Sequence, residues 1–206
     1  MYNVDIVDRL VGVEIEAVCN HRLWKTEETV GAFTVGTDCS IKPNGREFRF
    51  TQPLMPQEAF ESIPLIVRHL KSKGAYCNTS TGLHVHVDCP RACRDWLRQN
   101  KWRLQEWFRA ALRLRAPFAR THLHRKEYAN DTVRVDGTGY TSYGSKYDAI
   151  NVSGTAYTTI EFRMFNCVLN SRYIIGCIKN SLDMANYLIK AWEKETQQKE
   201  TRHVTV

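Results

Sequence analysis

The chain has 206 residues, of which 43% are hydrophobic and 25% charged, a globular balance that excludes a disordered or low-complexity chain. A single domain of this size buries roughly 70% of its unfolded surface, so neither a disulfide nor a structural metal is required for folding, and no apolar run has the length of a membrane-spanning helix. The 29 basic and 22 acidic residues leave a formal charge of +7, which favours anionic partners without naming them.

Residues 1–9 lack the basic start and apolar core of a signal peptide. Seven cysteines, an odd number, fit a compartment in which thiols stay reduced, so a cytoplasmic protein is expected. Residues 10–19 read as the first strand. Residues 31–36 and 46–50 read as two more, separated by a turn at Lys42-Pro43-Asn44-Gly45. The run 56–73 predicts a helix that carries the apolar Phe60, Ile63, Leu65, Ile66, Val67 and Leu70, with Pro64 as a kink and Gly74 as the stop. Strands follow at 75–78 and 83–88, and Pro90 opens a helical region expected to reach about Arg115. Within it Leu104, Trp107, Phe108, Ala111 and Leu112 share one face, while Arg103, Arg109 and Arg113 fall mostly on the opposite, solvated side.

Residues 116–145 sustain no period, which is long for a structureless loop and points to a lid or substrate loop. Strands resume at 147–153 and 157–165. A last helix over 173–195 buries Ile174, Ile178, Leu182, Ala185, Leu188 and Trp192, and a polar tail follows that is expected to fray. The predicted fold class is α+β: a curved, largely antiparallel sheet of six or seven strands with helices on its apolar face. Residues 1–197 form one domain in this reading and 198–206 a polar tail.

Three strand segments repeat one design. Glu14-Ile15-Glu16, His84-Val85-His86 and Glu161-Phe162-Arg163 each place two ionisable residues two positions apart inside an apolar run. On a strand that spacing puts each pair on one face, while Val13/Ile15/Ala17, Leu83/Val85/Val87 and Ile160/Phe162/Met164 line the other. Taken singly, a Glu-x-Glu is an ordinary solvated strand face, and a His-x-His reads equally as a ligand pair or as a satisfied half-buried pair. Together the three read as one polar, cation-binding cavity, because buried carboxylates and imidazoles are costly unless paired or bound to metal.

Glu14 and Glu16 supply hard oxygen ligands, and Asp38 and Glu47, which bracket the following turn, supply two more. Such carboxylates bind Mg²⁺ or Mn²⁺, which bridge phosphate oxygens, and an imidazole from His84 or His86 suits Mn²⁺ as readily as Mg²⁺. An exposed Glu161–Arg163 pair is worth ~0–1 kcal/mol. In a cavity the roles divide: the carboxylate holds a cation and the planar guanidinium grips a phosphate or carboxylate. Cys89-Pro-Arg-Ala-Cys93 has no second pair at zinc-site spacing, so the cysteines read as core or boundary thiols.

Taken in order, Gly12-Val13-Glu14-Ile15-Glu16, Asp38-x-Ser40, Gly45-x-Glu47 ahead of Pro53-Leu54, Gly82-Leu83-His84-Val85-His86-Val87, Lys146-Tyr147 with Asn151, and Glu161-Phe162-Arg163 resemble the motifs of the amidoligases. These are carboxylate–amine ligases of the glutamine synthetase and glutamate–cysteine ligase superfamily, several of them in phages and bacterial gene clusters. The resemblance covers about residues 10–185, and the Gly-Leu-His-Val-His-Val run is its most specific element. It implies a glutamine synthetase-like catalytic domain whose concave sheet face holds ATP and two or three divalent cations, Mg²⁺ or Mn²⁺. By that resemblance Glu14, Asp38 and Glu47 hold one cation, Glu16, His84 and Glu161 a second, and a third lies between Glu14 and Glu161.

The catalytic set so implied is His86, Glu161 and Arg163: His86 near the nucleotide phosphates, and Arg163 neutralising the transferring phosphoryl group or the substrate carboxylate. Lys146 and Asn151 join His86 and Arg163 in binding the cofactor. The substrate pocket falls to the irregular 116–145 segment, where Arg120, Arg125, Lys126 and Tyr128 either bind nucleotide or an acidic substrate or are solvated loop charges. The implied reaction passes the γ-phosphoryl of ATP to a small-molecule or peptide carboxylate, and an amine attacks the acyl phosphate to form an amide or isopeptide bond. The implied setting is the cytoplasm, that of the host if the chain is phage-encoded. Two other classes use the same residues differently: a metal-dependent hydrolase or transferase working without ATP, and a nucleic-acid-binding protein using the basic surface and five tryptophans.

Overall fold

Alternation of apolar and ionisable residues in Val-Gly-Val-Glu-Ile-Glu-Ala-Val becomes an eight-residue strand, Val11–Val18 (β1), inside the main sheet of a computed structural model. The structure describes residues 9–20, 27–100, 104, 134–136, 139–141, 150–152 and 158–204. The other strands are Thr29–Val30 (β2), Phe33–Thr37 (β3), Gly45–Phe50 (β4), Gly82–Asp88 (β5), Arg134–Asp136 (β6), Gly139–Thr141 (β7), Ile150–Asn151 (β8) and Thr159–Asn166 (β9). The helices are Pro56–Ser72 (α1), Arg91–Gln99 (α2) and Ser171–Val204 (α3).

Seven strands form one sheet in the order β2-β3-β4-β1-β5-β9-β8. All its pairings are antiparallel. Strands β6 and β7 pair separately. With helices packed against one sheet face, the class is α+β, as the sequence predicts. Val11, Val13, Ile15 and Ala17 of β1 and Leu83, Val85 and Val87 of β5 share a core with Ile63, Ile66 and Leu70 of α1, Leu97 of α2 and Ile174, Ile178 and Leu182 of α3. Full burial of such a side chain is worth ~1.5–3 kcal/mol. That sum sets the register, because a one-residue slip would turn Glu14, Glu16 and His84 toward the helices.

Local chemistry explains the element ends. Pro56 stands at the first position of α1, and Glu58 reaches back to accept the Met55 N–H at 2.9 Å. Gly74 takes φ +71 just past the helix, a conformation that favours glycine. Gly31, at φ +60, turns the chain between β2 and β3, so the expected strand over 31–36 is a hairpin with its turn at 31–32.

The helix α1 contains Pro64, as expected, and its Leu65 is 63% exposed, on the side away from Ile63 and Ile66. Other expectations are corrected. Residues 75–78 form a single bridge, Val18 to Tyr76, because the chain turns at once through 78–81. The helix α2 ends at Gln99, capped by Asn100, whose N–H and side-chain amide both bond Trp96 O at 2.9 Å; the rest of the expected helical region, to about Arg115, falls almost wholly outside the described residues. Of 101–115 only Leu104, helical and buried, lies within the described residues. The last helix does not fray after Gln197: α3 runs to Val204, its tail rich in good helix formers, with Thr201 Oγ1 donating to Gln197 O at 2.9 Å. Among the described residues, no helix is long and apolar enough to cross a membrane.

Candidate active site

Register assembles the polar face. Glu14 stands opposite His84 of β5, Gly12 opposite His86, and Glu16 opposite Glu47 of β4. His86 in turn faces Glu161 of β9. Facing residues have Cβ atoms ~4.5–5.5 Å apart, so pairs distant in sequence become one continuous array.

Glu14 is its hub. One carboxylate oxygen lies 2.9 Å from His84 Nδ1 and the other 3.2 Å from His86 Nε2. Glu161 Oε1 lies 3.9 Å from His84 Nδ1 and 4.0 Å from His86 Nε2, and 2.5 Å from Arg163 Nη1. Its other oxygen accepts a 2.8 Å hydrogen bond from Asn151 Nδ2, because β8 sets Asn151 opposite Glu161. Glu16 is nearly closed off from solvent: Oε2 accepts the Gly82 N–H at 2.5 Å, and Oε1 lies 3.3 Å from His84 Nε2. The His84 ring thus lies between the Glu14 and Glu16 carboxylates, one at each ring nitrogen.

The strand β9 adds a feature that period-two reading misses. Phe162 pairs with Val85 and Phe165 with Leu83, so β9 advances three positions while β5 advances two. This bulge places Arg163 and Met164 together across from His84; Arg163 stays on the polar face beside Glu161, and Met164 is buried in the core.

Electrostatics follow from this crowding. Burial opposes the charge on Glu14, but the hydrogen bonds and positive fields of His84 and His86 outweigh it and hold the carboxyl well below the usual range. Burial also opposes charging of His86, yet Glu14 and Glu161 beside it raise its pKa. Glu47 goes the other way: burial, then the charges of Glu14 and Glu16, push it up to about 8. The Glu14–Glu47 pair thus holds one proton near neutrality.

Among the described residues, two groups of side chains could hold a metal ion: Glu14, Glu47 and His84, and Glu14, His86 and Glu161. Within each, the ligand atoms lie within 4.8 Å of one another. Ligands across an ion with bonds of ~2.0–2.6 Å sit up to ~4–5 Å apart, so the donors fit without rearranging the strands. Carboxylate oxygens with one imidazole suit Mg²⁺ or Mn²⁺. Among the described residues, the Nε2 atoms of His84 and His86 are buried without an aligned hydrogen bond, although each lies within 3.3 Å of a carboxylate oxygen.

Of the residues singled out from sequence, Glu14, Glu16, Glu47, His84, His86, Asn151, Glu161 and Arg163 converge here. Asp38 belongs to neither three-residue group; its Oδ1 accepts the Ser40 N–H and hydroxyl, each at 2.7 Å, in the turn after β3. Arg120, Arg125, Lys126, Tyr128 and Lys146 lie outside the described residues. One participant was missed. Arg49 Nε lies 3.5 Å from Glu47 Oε2, and Glu47-x-Arg49 repeats the spacing of Glu161-x-Arg163 that could have revealed it. Room for both side chains comes from Gly36 opposite Glu47: a Cβ there would lie 3.4 Å from Arg49 Nη2 and 3.6 Å from Glu47 Oε2.

The family model described as "Putative amidoligase enzyme" matches residues 4–182, most of the chain. No curated protein matches the sequence. Among solved structures, Plasmodium falciparum glutamine synthetase is similar at 10% identity and a TM-score of 0.41, over 89% of this chain and 52% of that one. The chain thus spans about half the length of that protein.

Proposed function

The chain belongs to the amidoligase family, a family of ligase-type enzymes, and from that premise we propose that it is an ATP-dependent carboxylate–amine ligase. The reaction is transfer of the ATP γ-phosphoryl to a small-molecule or peptide carboxylate, followed by attack of an amine on the acyl phosphate and formation of an amide or isopeptide bond. The observation that carries this reading is the sharing of Glu14 by two three-donor groups on one sheet face. A charged array of this kind is not needed for folding, which the opposite, apolar face provides.

Divalent cations held there, Mg²⁺ or Mn²⁺, supply charge neutralisation and in-line positioning of the phosphates. The remaining work falls to the chain's own side chains. Glu14 is common to both groups, Glu47 and His84 complete one, and His86 and Glu161 complete the other. Asn151 fixes the Glu161 carboxylate. Glu161 in turn orients Arg163, whose planar guanidinium suits an anionic oxygen of substrate or phosphate. Arg120, Arg125 and Lys146 remain proposed contacts to nucleotide, Asp38 a proposed cation ligand from the turn after β3, residues 1–197 the proposed catalytic domain, and the cytoplasm its proposed place.

The test incubates the protein with ATP, Mg²⁺ or Mn²⁺ and pooled amino acids, polyamines and small peptides. ADP and new products are followed by mass spectrometry beside a Glu161→Ala control. Substrate-dependent ADP with a product mass of carboxylate plus amine minus water, absent from the control, is the expected result. Failure of every pool to yield ADP, together with failure of ATP and metal to raise the melting temperature, would overturn the ligase reading. Metal-dependent bond cleavage without ATP would replace it with the hydrolase or transferase.

A further inference from the structure

Arg49 stands on β4 between Glu14 of β1 and Thr34 of β3, the residues directly opposite it on the two neighbouring strands. The Glu14 oxygens are engaged by His84 and His86, and the carboxylate that pairs with Arg49 is Glu47, two positions back on its own strand. That ion pair spans 3.5 Å from Nε, longer than the ~2.7–3.2 Å of an N–H···O hydrogen bond. The Arg49 side chain is 51% exposed, against 17% for Glu47, and an exposed pair of this length adds little to stability. Its Nη2 lies over Gly36, where the absence of a side chain gives the guanidinium room.

Charge says what such a group is suited to. With both histidines neutral, two divalent cations on this face would balance the carboxylates of Glu14, Glu16, Glu47 and Glu161. The charge left over is then that of Arg49 and Arg163, which favours anionic ligands. One anionic group cannot serve both. Strands β4 and β9 are separated by β1 and β5, three inter-strand steps or ~14 Å. Each guanidinium is also tied to a glutamate of its own strand, Arg49 to Glu47 and Arg163 to Glu161.

We propose that Arg49 is a second anion-binding residue of the site, which receives a carboxylate or phosphate group distinct from the one at Arg163 and holds it beside a cation bound by Glu14, Glu47 and His84. The planar N–H donors of a guanidinium match the paired oxygens of either group. Cation and guanidinium grip that anion from two sides. A cation on Glu47 favours the arrangement, because the same carboxylate then no longer neutralises Arg49 in full. The inference rests on the cation groups of the ligase reading and adds a ligand contact on the β4 flank that Arg163, on β9, does not supply.

The test follows the melting temperature of the full chain at Mg²⁺ concentrations that saturate each variant, with inorganic phosphate titrated in one arm and succinate in the other. Both anions are expected to raise it in the unsubstituted protein. Arg49→Ala should weaken the apparent affinity for one of them ~10-fold or more and change the other by less than ~3-fold, and Arg163→Ala should show the reverse. The arm that Arg49→Ala weakens names the group that Arg49 receives. If Arg49→Ala does not fold, Arg49→Lys, which keeps the charge and loses the planar fork, should show the same selectivity at ~3-fold or more. Affinities that the Arg49 variants leave unchanged, a loss shared equally by both anions, or no anion response in a protein that Mg²⁺ does stabilise would each overturn the proposal. A protein that Mg²⁺ itself fails to stabilise would overturn the cation reading beneath it, and this proposal with it.

Discussion

Gly12 and His86 face each other across β1 and β5, and a Cβ at residue 12 would lie 3.3 Å from His86 Cβ. That is close enough to force the imidazole aside by a few tenths of an ångström, but not enough to break the sheet. His86 Nε2 sits 3.2 Å from Glu14 and 4.0 Å from Glu161, distances that a small displacement alters. Gly12→Ala should therefore change stability by less than ~1.5 kcal/mol while reducing the rise in melting temperature that Mn²⁺ produces. A calorimetric titration of both proteins checks it; equal cation responses would remove His86 from the cation site.

Glu161 is the point at which His84, His86, Asn151 and Arg163 meet. Replacing it with Gln keeps the shape and removes the charge, leaving the Arg163 guanidinium without its carboxylate in a largely buried setting. We expect Glu161→Gln to lose most of the cation-dependent stabilisation and to lower ADP formation by ~10²-fold or more. Loss of the charge-assisted bond should cost ~1.5–3 kcal/mol in the cation-free protein. A variant that kept its cation response would exclude Glu161 as a ligand.

The face pattern was legible because it is local. Val13, Ile15 and Ala17 alternate with Glu14 and Glu16 along one strand, and chain geometry alone sends them to opposite sides. Which strands lie side by side was not legible, since the pairing of Glu14 with His84 joins residues 70 positions apart and depends on the whole core. The β9 bulge escaped for a related reason: Phe162 and Phe165 both belong to the core, and only the partner strand shows that an extra residue lies between them. Arg49 was passed over although Glu47, two positions before it on the same strand, was singled out, and one residue on each side of the buried Phe48 belongs to the polar face.

The high pKa of Glu47 gives a pH dependence with a definite sign. A carboxyl whose folded pKa is raised stabilises the fold below its ordinary value of 4.5, and that contribution is lost as pH rises through about 8. The cation-free protein should thus lose melting temperature between these values, while apparent Mn²⁺ affinity should rise as the proton stops competing. Glu47→Gln should flatten both trends. Because Arg49 lowers the Glu47 pKa, Arg49→Ala should move the Mn²⁺ transition to higher pH. Melting curves across this range, with and without Mn²⁺, measure all three; an affinity independent of pH would exclude Glu47 from the site.

Gly45 ties the site to the fold at the point where β4 begins. A Cβ there would fall 2.0 Å from Ile41 Cβ and 2.9 Å from Asp38 O, and Ile41 is buried with no room to retreat. One obstacle is a packed side chain and the other is backbone, so the turn after β3 must move. Gly45→Ala should destabilise by ~1–3 kcal/mol, read as a lower urea midpoint with an unchanged slope. The displaced turn carries Asp38 and leads directly into β4, which carries Glu47, whereas His86, Glu161 and Arg163 lie beyond β1 on β5 and β9. Cation binding should consequently weaken in the group containing Glu47 and persist in the group containing His86 and Glu161, giving a Mn²⁺ titration with one tight and one weakened component. Equal weakening of both would mean that the two groups are coupled through the shared Glu14 carboxylate more strongly than through their separate strands.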